Sequence, residues 1–290
     1  TCAFFYKIFG MNYFDSITHA MTTIATGGFS NYNESIGYFN SATIEITAII
    51  FIILGSIPFI AYIKFLNGNK RIFISDSQIR TFIKIIIVSI IILFFYLAFQ
   101  NKNFSEINLR SISFNVVSIL TGTGYVTQQF DNWGSFPLIF FLILMFIGGC
   151  AGSTTGGIKI FRLQLLFRGA KAQIKKLTHP HAVLLMRFNG KTVTENTYNS
   201  IMGFFFMYIF IFILSSISLS FFNLDFLTSF SAAASAISNV GPGIGSIIGP
   251  NGNYSSLNNG AKWILSITML IGRLEIFTIL VLLSVAFWKK

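Results

Sequence analysis

The sequence predicts an all-α integral membrane protein made of repeated units, in each of which a spanning helix, a short re-entrant helix and a second spanning helix surround one common axis. Three observations support this fold class. Hydrophobic residues make up 53% of the 290 residues and charged residues only 10%. Several apolar runs are long enough to cross a bilayer, and a short helix that ends in glycines recurs three times. These features exclude a soluble globule and a disordered chain, and two cysteines are too few for a disulfide scaffold.

Four apolar runs have the length of a membrane span, about 21 to 26 residues, or at least about 30 Å as a helix. They are residues 42–63, 79–99, 201–222 and 263–288. A fifth run, 136–147, has only about 12 residues and is followed by the glycine-rich sequence 148–157. Its helix is therefore predicted to break inside the membrane, where irregular backbone is tolerated only if protein buries it or it lines a cavity.

The formal net charge of +11 arises from 20 basic and 9 acidic side chains. Most of the basic residues fall in 64–84, in 159–191 and at the last two positions. Lys and Arg beside membrane spans mark the cytoplasmic side, so this clustering indicates membrane topology rather than nucleic-acid binding. Glu45, near the outer end of its apolar run, is predicted to have an interfacial role rather than an ion-binding one.

Three shorter apolar stretches lie between the spans and resemble one another. They are residues 12–25, 106–120 and 225–238. A helix of about 13 residues reaches only about 20 Å, so each stretch is expected to enter the membrane and return on the same side. A helix-starting acid or amide opens each stretch, and the candidate N-caps are Asn12 or Asp15, Ser105 or Glu106, and Asn223 or Asp225.

Each short helix ends in a glycine-containing segment at the same point of the repeat. We call these segments turn 1 (26–29, TGGF), turn 2 (122–125, GTGY) and turn 3 (239–242, NVGP). A cation that leaves water needs a substitute shell, which a ring of backbone carbonyls supplies, and the negative ends of three helices favour a cation there. Close helix packing is the alternative use of any single glycine, but three at one position of a repeat favour the ion site.

Four motifs resemble the TrkH branch of the Trk/Ktr/HKT potassium transporters. They are residues 23–30 (TIATGGFS), 147–159 (IGGCAGSTTGGIK), 239–245 (NVGPGIG) and 272–275 (GRLE). The resemblance extends from about Gly10 to the last residue, and that family has four repeats around one potassium-channel-like pore. The chain resembles repeats two to four, with the first repeat absent and the first helix of the second truncated. The implied repeats are 1–63, 79–168 and 201–290, separated by cytoplasmic linkers 64–78 and 169–200.

The resemblance implies potassium uptake across the inner membrane through a glycine-lined selectivity filter that an intramembrane loop gates. The implied filter residues are Thr26, Gly27, Gly28, Gly122, Thr123, Gly124, Asn239, Val240 and Gly241. The implied gate residues are Gly152, Ser153, Thr154, Thr155, Gly156, Gly157, Lys159 and Arg273. Lys159 either faces the pore or extends to the cytoplasm, and Arg273 either lies below the filter or pairs with Glu275. Because the three turns differ in sequence, selectivity for K⁺ over Na⁺ is expected to be modest.

The resemblance also implies a multi-pass inner-membrane protein in contact with lipid, a homodimer, and a cytosolic nucleotide-binding regulatory subunit of the TrkA type. K⁺ is the expected transported ion, and we expect no cofactor, no other metal and no nucleic acid. Two alternatives stay open: a sodium/potassium transporter of the same fold, and a lipid-modifying membrane enzyme that uses 148–157 for a phosphorylated head group. The nine acids stand singly along the sequence, so no enzymatic activity is predicted.

Overall fold

The structure, a computed structural model, describes residues 1–100, 108–179, 186–250, 252–274 and 276–289. These residues are mostly helical, as predicted. The helices are α1 (Cys2–Ile8), α2 (Tyr13–Ile24), α3 (Ala42–Gly55), α4 (Phe59–Leu66), α5 (Ile72–Ser75), α6 (Ser77–Gln100), α7 (Leu109–Leu120), α8 (Ser135–Phe146), α9 (Ile160–Thr178), α10 (Glu195–Ser220), α11 (Phe226–Ser238), α12 (Asn259–Arg273), α13 (Ile276–Leu283) and α14 (Val285–Trp288). Strands β1 (Arg187–Phe188) and β2 (Lys191–Thr192) form a small antiparallel hairpin between α9 and α10.

Two of the four predicted spans are continuous helices. The α6 helix has 24 residues and α10 has 26, and both are apolar enough to cross a membrane. The other two are bent pairs, α3 with α4 and α12 with α13, so the described residues contain four candidate spans if each pair counts as one. The fifth apolar run forms α8, which ends at Phe146, and helix resumes only at Ile160. The predicted break in that run is confirmed.

An unbroken helix over 42–63 was expected, and this expectation is wrong because the chain bends by 85° between α3 and α4. Pro58 has no N–H to donate and disfavours helix at the residue before it. The backbone groups freed by the bend find partners in the glycine loop, the name we use for residues 148–157. Cys150 donates its N–H to the Ser56 carbonyl at 3.1 Å, and Phe59 donates to the Gly152 carbonyl at 2.9 Å. The bend and the glycine loop thus supply hydrogen-bond partners for each other's backbone groups.

An unbroken helix over 263–288 was also expected, and this expectation is likewise wrong. The α12 helix ends at Arg273, and α13 leaves at an angle of 109°. Close packing fixes this end of α12, since a Cβ added to Gly272 would lie 2.0 Å from the carbonyl oxygen of Ile237 in α11. Small residues also let α11 pack tightly, because its Ser and Ala side chains from 231 to 236 are all buried.

An ion pair joins the first turns of α3 and α7. The Arg110 Nε lies 2.8 Å from a Glu45 carboxylate oxygen, with the Glu45 side chain 5% exposed and that of Arg110 33% exposed. Arg110 stands at the positive N-terminal end of α7, which disfavours a cation. Glu45 offsets this cost, so its interfacial role is structural. The pair fastens the short helix α7 to the neighbouring span.

We expect Glu45→Gln to lower the free energy of unfolding by about 1–3 kcal/mol, because it leaves Arg110 unpaired beside the positive end of a helix. The thermal unfolding midpoint of the purified protein in detergent measures this. Glu34→Gln is the matched control, since Glu34 is exposed at the start of a short 3₁₀ helix. The double variant Glu45→Gln/Arg110→Gln should recover much of the loss. Equal midpoints for the two single variants would show that the ion pair contributes nothing.

Candidate functional site

The three short helices start in the same way. Asn12, Asn108 and Asp225 each accept a hydrogen bond through the side chain from the backbone N–H three residues later. Asn12 and Asp225 were among the predicted N-caps. In the second helix the predicted start was too early, because α7 begins at Leu109; the candidate caps Ser105 and Glu106 lie outside the described residues. The three caps stand at equivalent positions, so the repeat extends to the hydrogen bonds that begin each helix.

The three helices also end in the same way. In each, the second residue of the turn donates its N–H to the carbonyl five residues earlier, at 2.8–2.9 Å. The pairs are Gly27 with Thr22, Thr123 with Ser118, and Val240 with Ser235. The preceding residue donates to the carbonyl three residues earlier at 3.1–3.2 Å, and its φ is positive. This arrangement is a Schellman motif, which satisfies the last carbonyls of a helix and turns the chain away.

Positive φ values alternate along each turn. They are 48° and 66° at Thr26 and Gly28, 68° and 81° at Gly122 and Gly124, and 56° and 114° at Asn239 and Gly241. The residue between each pair does not have a positive φ. Alternation between left- and right-handed backbone turns successive carbonyls toward the same side, which a uniform strand does not do. Only Gly adopts this conformation without steric cost, with Asn among the best tolerated of the others.

The structure brings the three turns side by side. A Cβ added to Gly28 would lie 1.7 Å from the carbonyl oxygen of Thr123, and one added to Gly124 would lie 1.8 Å from that of Val240. Turn 1 therefore contacts turn 2, and turn 2 contacts turn 3, through glycine Cα atoms and carbonyl oxygens. All nine predicted filter residues belong to this assembly. Their role in ion binding stays a prediction.

Six carbonyls of the turns have no hydrogen-bond donor among the described residues. They belong to Thr26, Gly27, Gly122, Thr123, Asn239 and Val240. Backbone carbonyls in a protein interior almost always have partners, because an unpaired one loses its interaction with water and gains nothing. Carbonyls without donors are the groups that a dehydrated cation needs as ligands.

Three hydroxyl residues that sequence reasoning missed hold the turns. Thr22 donates to the Phe29 carbonyl at 3.0 Å, and Ser118 donates to the Tyr125 carbonyl at 2.7 Å. At the equivalent position, Ser235 accepts the N–H of Gly241 at 3.0 Å. Each stands four residues before the first residue of its turn, so the available signal was a hydroxyl at the same position of all three repeats.

The glycine loop lies directly against the turns. Its two ends are joined, since Ile158 donates to the Phe146 carbonyl and Gly148 donates to the Ile158 carbonyl, both at 2.9 Å. At its tip, the Thr154 hydroxyl lies 3.1 Å from that of Thr26 in turn 1. A Cβ added to Gly156 would lie 2.4 Å from the Ser238 carbonyl oxygen beside turn 3. Of the predicted gate residues, Thr154 and Gly156 thus contact the predicted filter residues Thr26 and Asn239.

The two predicted basic gate residues differ in their surroundings. The Lys159 ammonium donates to the carbonyl and the hydroxyl of Thr155, so it binds the glycine loop. Arg273 is exposed at the last position of α12. Its neighbour Gly272 packs against α11 just before turn 3, while Glu275, its predicted alternative partner, lies outside the described residues.

A family model described as "TrkH: Cation transport protein" matches residues 7–290. The chain belongs to the TrkH family. It is 38% identical to the Trk system potassium uptake protein TrkI of Halomonas elongata over 98% of this chain and 58% of that protein. It is 36% identical to the Trk system potassium uptake protein TrkH of Escherichia coli K12 over 100% of this chain and 60% of that protein.

A solved structure has the same fold. The crystal structure of the potassium transporter TrkH from Vibrio parahaemolyticus superposes with a TM-score of 0.91 at 35% identity, covering 99% of this chain and 62% of that one. The predicted fold class and family are confirmed. The chain spans about three fifths of the length of the TrkH-family proteins that it matches.

Outside the turns, Asp131 joins two loops of this TrkH-family chain. It lies in a short 3₁₀ helix between α7 and α8, and its carboxylate accepts the N–H of Gly245, beyond turn 3, at 3.2 Å. A Cβ added to Gly249 would lie 2.2 Å from the same oxygen. Burial raises the pKa of Asp131 from its usual 3.8 to about 6, although the Gly245 hydrogen bond lowers it.

The raised pKa of Asp131 predicts a pH dependence of stability. Between about pH 4 and 6 the folded protein binds a proton at Asp131 that the unfolded chain releases, so this contribution is complete below pH 4 and is lost as the pH rises through about 6. We expect the unfolding midpoint of the wild type to fall more steeply across this window than that of Asp131→Asn. Parallel profiles for the two proteins would contradict the assignment.

Proposed function

We propose that the chain forms part of a pathway for potassium uptake across the inner membrane, in which the three turns supply the selectivity filter. The observation that carries the proposal is the set of six carbonyls that have no donor among the described residues, on three adjacent turns with alternating positive φ. The family relatives named as potassium uptake proteins support the choice of ion. A cation loses water in the filter, and the carbonyls replace that shell without introducing a group that titrates.

Helix electrostatics favour a cation at the same place. Helices α2, α7 and α11 all end at the turns, and each helix carries roughly half a negative charge at its C-terminal end. No acidic side chain is needed among the filter residues, so K⁺ can leave as readily as it enters. Among the described residues, no three His, Cys, Asp or Glu side chains lie together in a way that would hold a metal.

A fourth turn is proposed to complete the ring between turn 3 and turn 1. Gly28 and Gly124 each face the carbonyl of the next turn, whereas a Cβ added to Gly241 would meet only the Cα of Gly124, at 3.9 Å. Gly241 in turn 3 and Phe29 in turn 1 are both exposed. The greater length of the family relatives supports an additional repeat.

The glycine loop is proposed to gate the pathway. Gly, Ser and Thr give it little apolar packing, so its position depends on hydrogen bonds that can exchange. Thr154 bonds Thr26 in turn 1 and the Gly55 carbonyl at the end of α3, and Lys159 bonds Thr155 within the loop. The positive charges of Lys159 and Arg273 are proposed to raise an electrostatic barrier to K⁺ that changes when the loop moves.

A homodimer and a cytosolic nucleotide-binding subunit of the TrkA type are proposed as partners. Basic residues on the exposed surface of α9 support a docking site on the cytoplasmic side: Lys171, Lys175 and Lys176. The proposed signal from such a subunit reaches the filter through α9, because Lys159 begins that helix and binds the glycine loop.

Gly124→Ala is expected to reduce K⁺ uptake at least about tenfold, because the new Cβ must displace the Val240 carbonyl. The measurement is uptake of K⁺ by cells that lack other uptake systems and express the full-length protein. Gly190→Ala is the matched control, since Gly190 has the same φ of +81° and its added Cβ would meet nothing within 4 Å. Both variants carry the same backbone strain of about 1–2 kcal/mol, so only the filter contact differs.

Normal uptake by Gly124→Ala would argue against the filter.

Gly241→Ala tests the fourth turn in the same assay. If a fourth turn supplies a carbonyl beside Gly241, this variant should lose as much uptake as Gly124→Ala. If the ring is open there, it should resemble Gly190→Ala.

Thr154→Val is expected to increase the basal K⁺ flux several-fold without changing the preference for K⁺ over Na⁺. The variant keeps the side-chain shape but removes the contact with Thr26 and the bonds to the carbonyls of Ile24 and Gly55, which hold the loop against turn 1. Flux measured in proteoliposomes tests this. Thr178→Val is the control, because it removes a hydroxyl bond at the far end of α9. Unchanged or lower flux through Thr154→Val would contradict the gating role.

A further inference from the structure

Tyr125 differs from its counterparts in the other two turns. It follows Gly124 directly, at the position that Phe29 has in turn 1 and Pro242 has in turn 3. The Phe29 side chain is 77% exposed, whereas Tyr125 is fully buried. A buried tyrosine normally requires a partner for its hydroxyl, so the surroundings of this group indicate what the residue does.

The Tyr125 hydroxyl lies against the last two turns of α2, the helix that ends in turn 1. Its oxygen is 2.5 Å from the Thr22 hydroxyl, 3.4 Å from the Thr23 hydroxyl and 3.2 Å from the His19 carbonyl oxygen. A carbonyl only accepts, so the tyrosine donates when it bonds His19. The His19 ring also lies roughly parallel to the Tyr125 ring, with the centroids 6.2 Å apart.

The backbone of Tyr125 is held independently. Its carbonyl accepts the Ser118 hydroxyl, at 2.7 Å, from its own helix α7. Thr22, which contacts the Tyr125 hydroxyl, also donates to the Phe29 carbonyl at the end of turn 1. A continuous path of hydrogen bonds therefore connects the end of turn 2 with the end of turn 1. We call this connection the Tyr125 brace.

The brace lies close in sequence to the point where the two turns touch. Thr123, two residues before Tyr125, places its carbonyl against the Cα of Gly28. At turn 3 the tyrosine contacts have a different origin, because Tyr254 reaches the Gly241 carbonyl from the loop that follows the same turn. Tyr208 reaches Ser238 from α10, the helix that precedes α11. Among the described residues, Tyr125 is the turn residue whose side chain hydrogen-bonds a neighbouring short helix.

We propose that the Tyr125 hydroxyl is a positioning group that fixes the distance between turn 1 and turn 2 and thereby sets the preference for K⁺ over Na⁺. The proposal rests on the proposed function of the turns as a filter. Na⁺ is smaller than K⁺, so carbonyls must move inward to coordinate it equally well. The brace opposes that movement by holding turn 2 against α2. Without the hydroxyl, turn 2 is free to shift relative to α2, so its carbonyls can move toward the smaller ion.

The test compares Tyr125→Phe with the wild-type full-length protein in proteoliposomes, with K⁺ and Na⁺ fluxes measured separately. Phe keeps the buried ring and removes only the hydroxyl. We expect the K⁺/Na⁺ flux ratio to fall about fivefold, the equivalent of one hydrogen bond of ~1 kcal/mol, as the Na⁺ flux rises. Tyr96→Phe is the matched control, because that hydroxyl bonds Gln100 at the far end of α6.

Thr22→Val removes the same contact from the other side, together with the bond from Thr22 to the Phe29 carbonyl, and should lower the ratio at least as far. The double variant should lose no more than Thr22→Val alone, since the Tyr125 contact is already absent there. An unchanged ratio in Tyr125→Phe, or in Thr22→Val if Tyr125→Phe does not fold, would overturn the brace. If the wild type and Tyr125→Phe both carry K⁺ selectively, the result excludes the role of the brace but not the selective filter. If the unfolding midpoint and the flux of the wild type respond equally to K⁺ and Na⁺, the result excludes a selective filter and therefore the brace as well.

Discussion

Backbone carbonyls at three adjacent turns that have no hydrogen-bond donor among the described residues are the constraint on which the rest of this structure depends. Such groups are costly unless a cation or water meets them, so the backbone around them must be held firmly. The Schellman motifs at the ends of α2, α7 and α11 satisfy the last helical carbonyls. Thr22, Ser118 and Ser235 then fix the far end of each turn. Two of the carbonyls that stay unpaired, those of Thr123 and Val240, lie against a glycine of the neighbouring turn.

The same requirement explains the pairing of a broken helix with an irregular loop. Neither the bend after α3 nor the glycine loop could exist alone in an apolar environment, because each exposes backbone groups that lipid cannot bind. Packed together, they exchange hydrogen bonds through Cys150, Thr154 and Phe59. The loop also reaches Thr26, so a change in the loop alters contacts at turn 1 as well as at the bend. Structural support and the proposed control of ion flow therefore use the same residues.

The repeats share a backbone but differ in the side chains that hold it. All three have the same caps, the same terminal hydrogen bonds and the same alternation of φ. Turn 2 is braced from the neighbouring helix α2, whereas turn 3 is held by tyrosines of its own segment. A symmetric ring of identical subunits has no such freedom. In a single chain each turn can be stiffened separately, which lets unequal turns form one site.

Local sequence determined the membrane class, the three short helices, the broken fifth run and the glycine positions, because apolar length, capping and backbone freedom act over a few residues. It also supplied two of the three N-caps, while the third was misplaced since several polar residues precede α7. The bend at Pro58, the Glu45–Arg110 pair, the Asp131 contact with Gly245 and the Tyr125 brace were decided by tertiary structure. Each joins residues far apart in the chain, and a local sequence pattern does not specify which distant donor will bond a given acceptor.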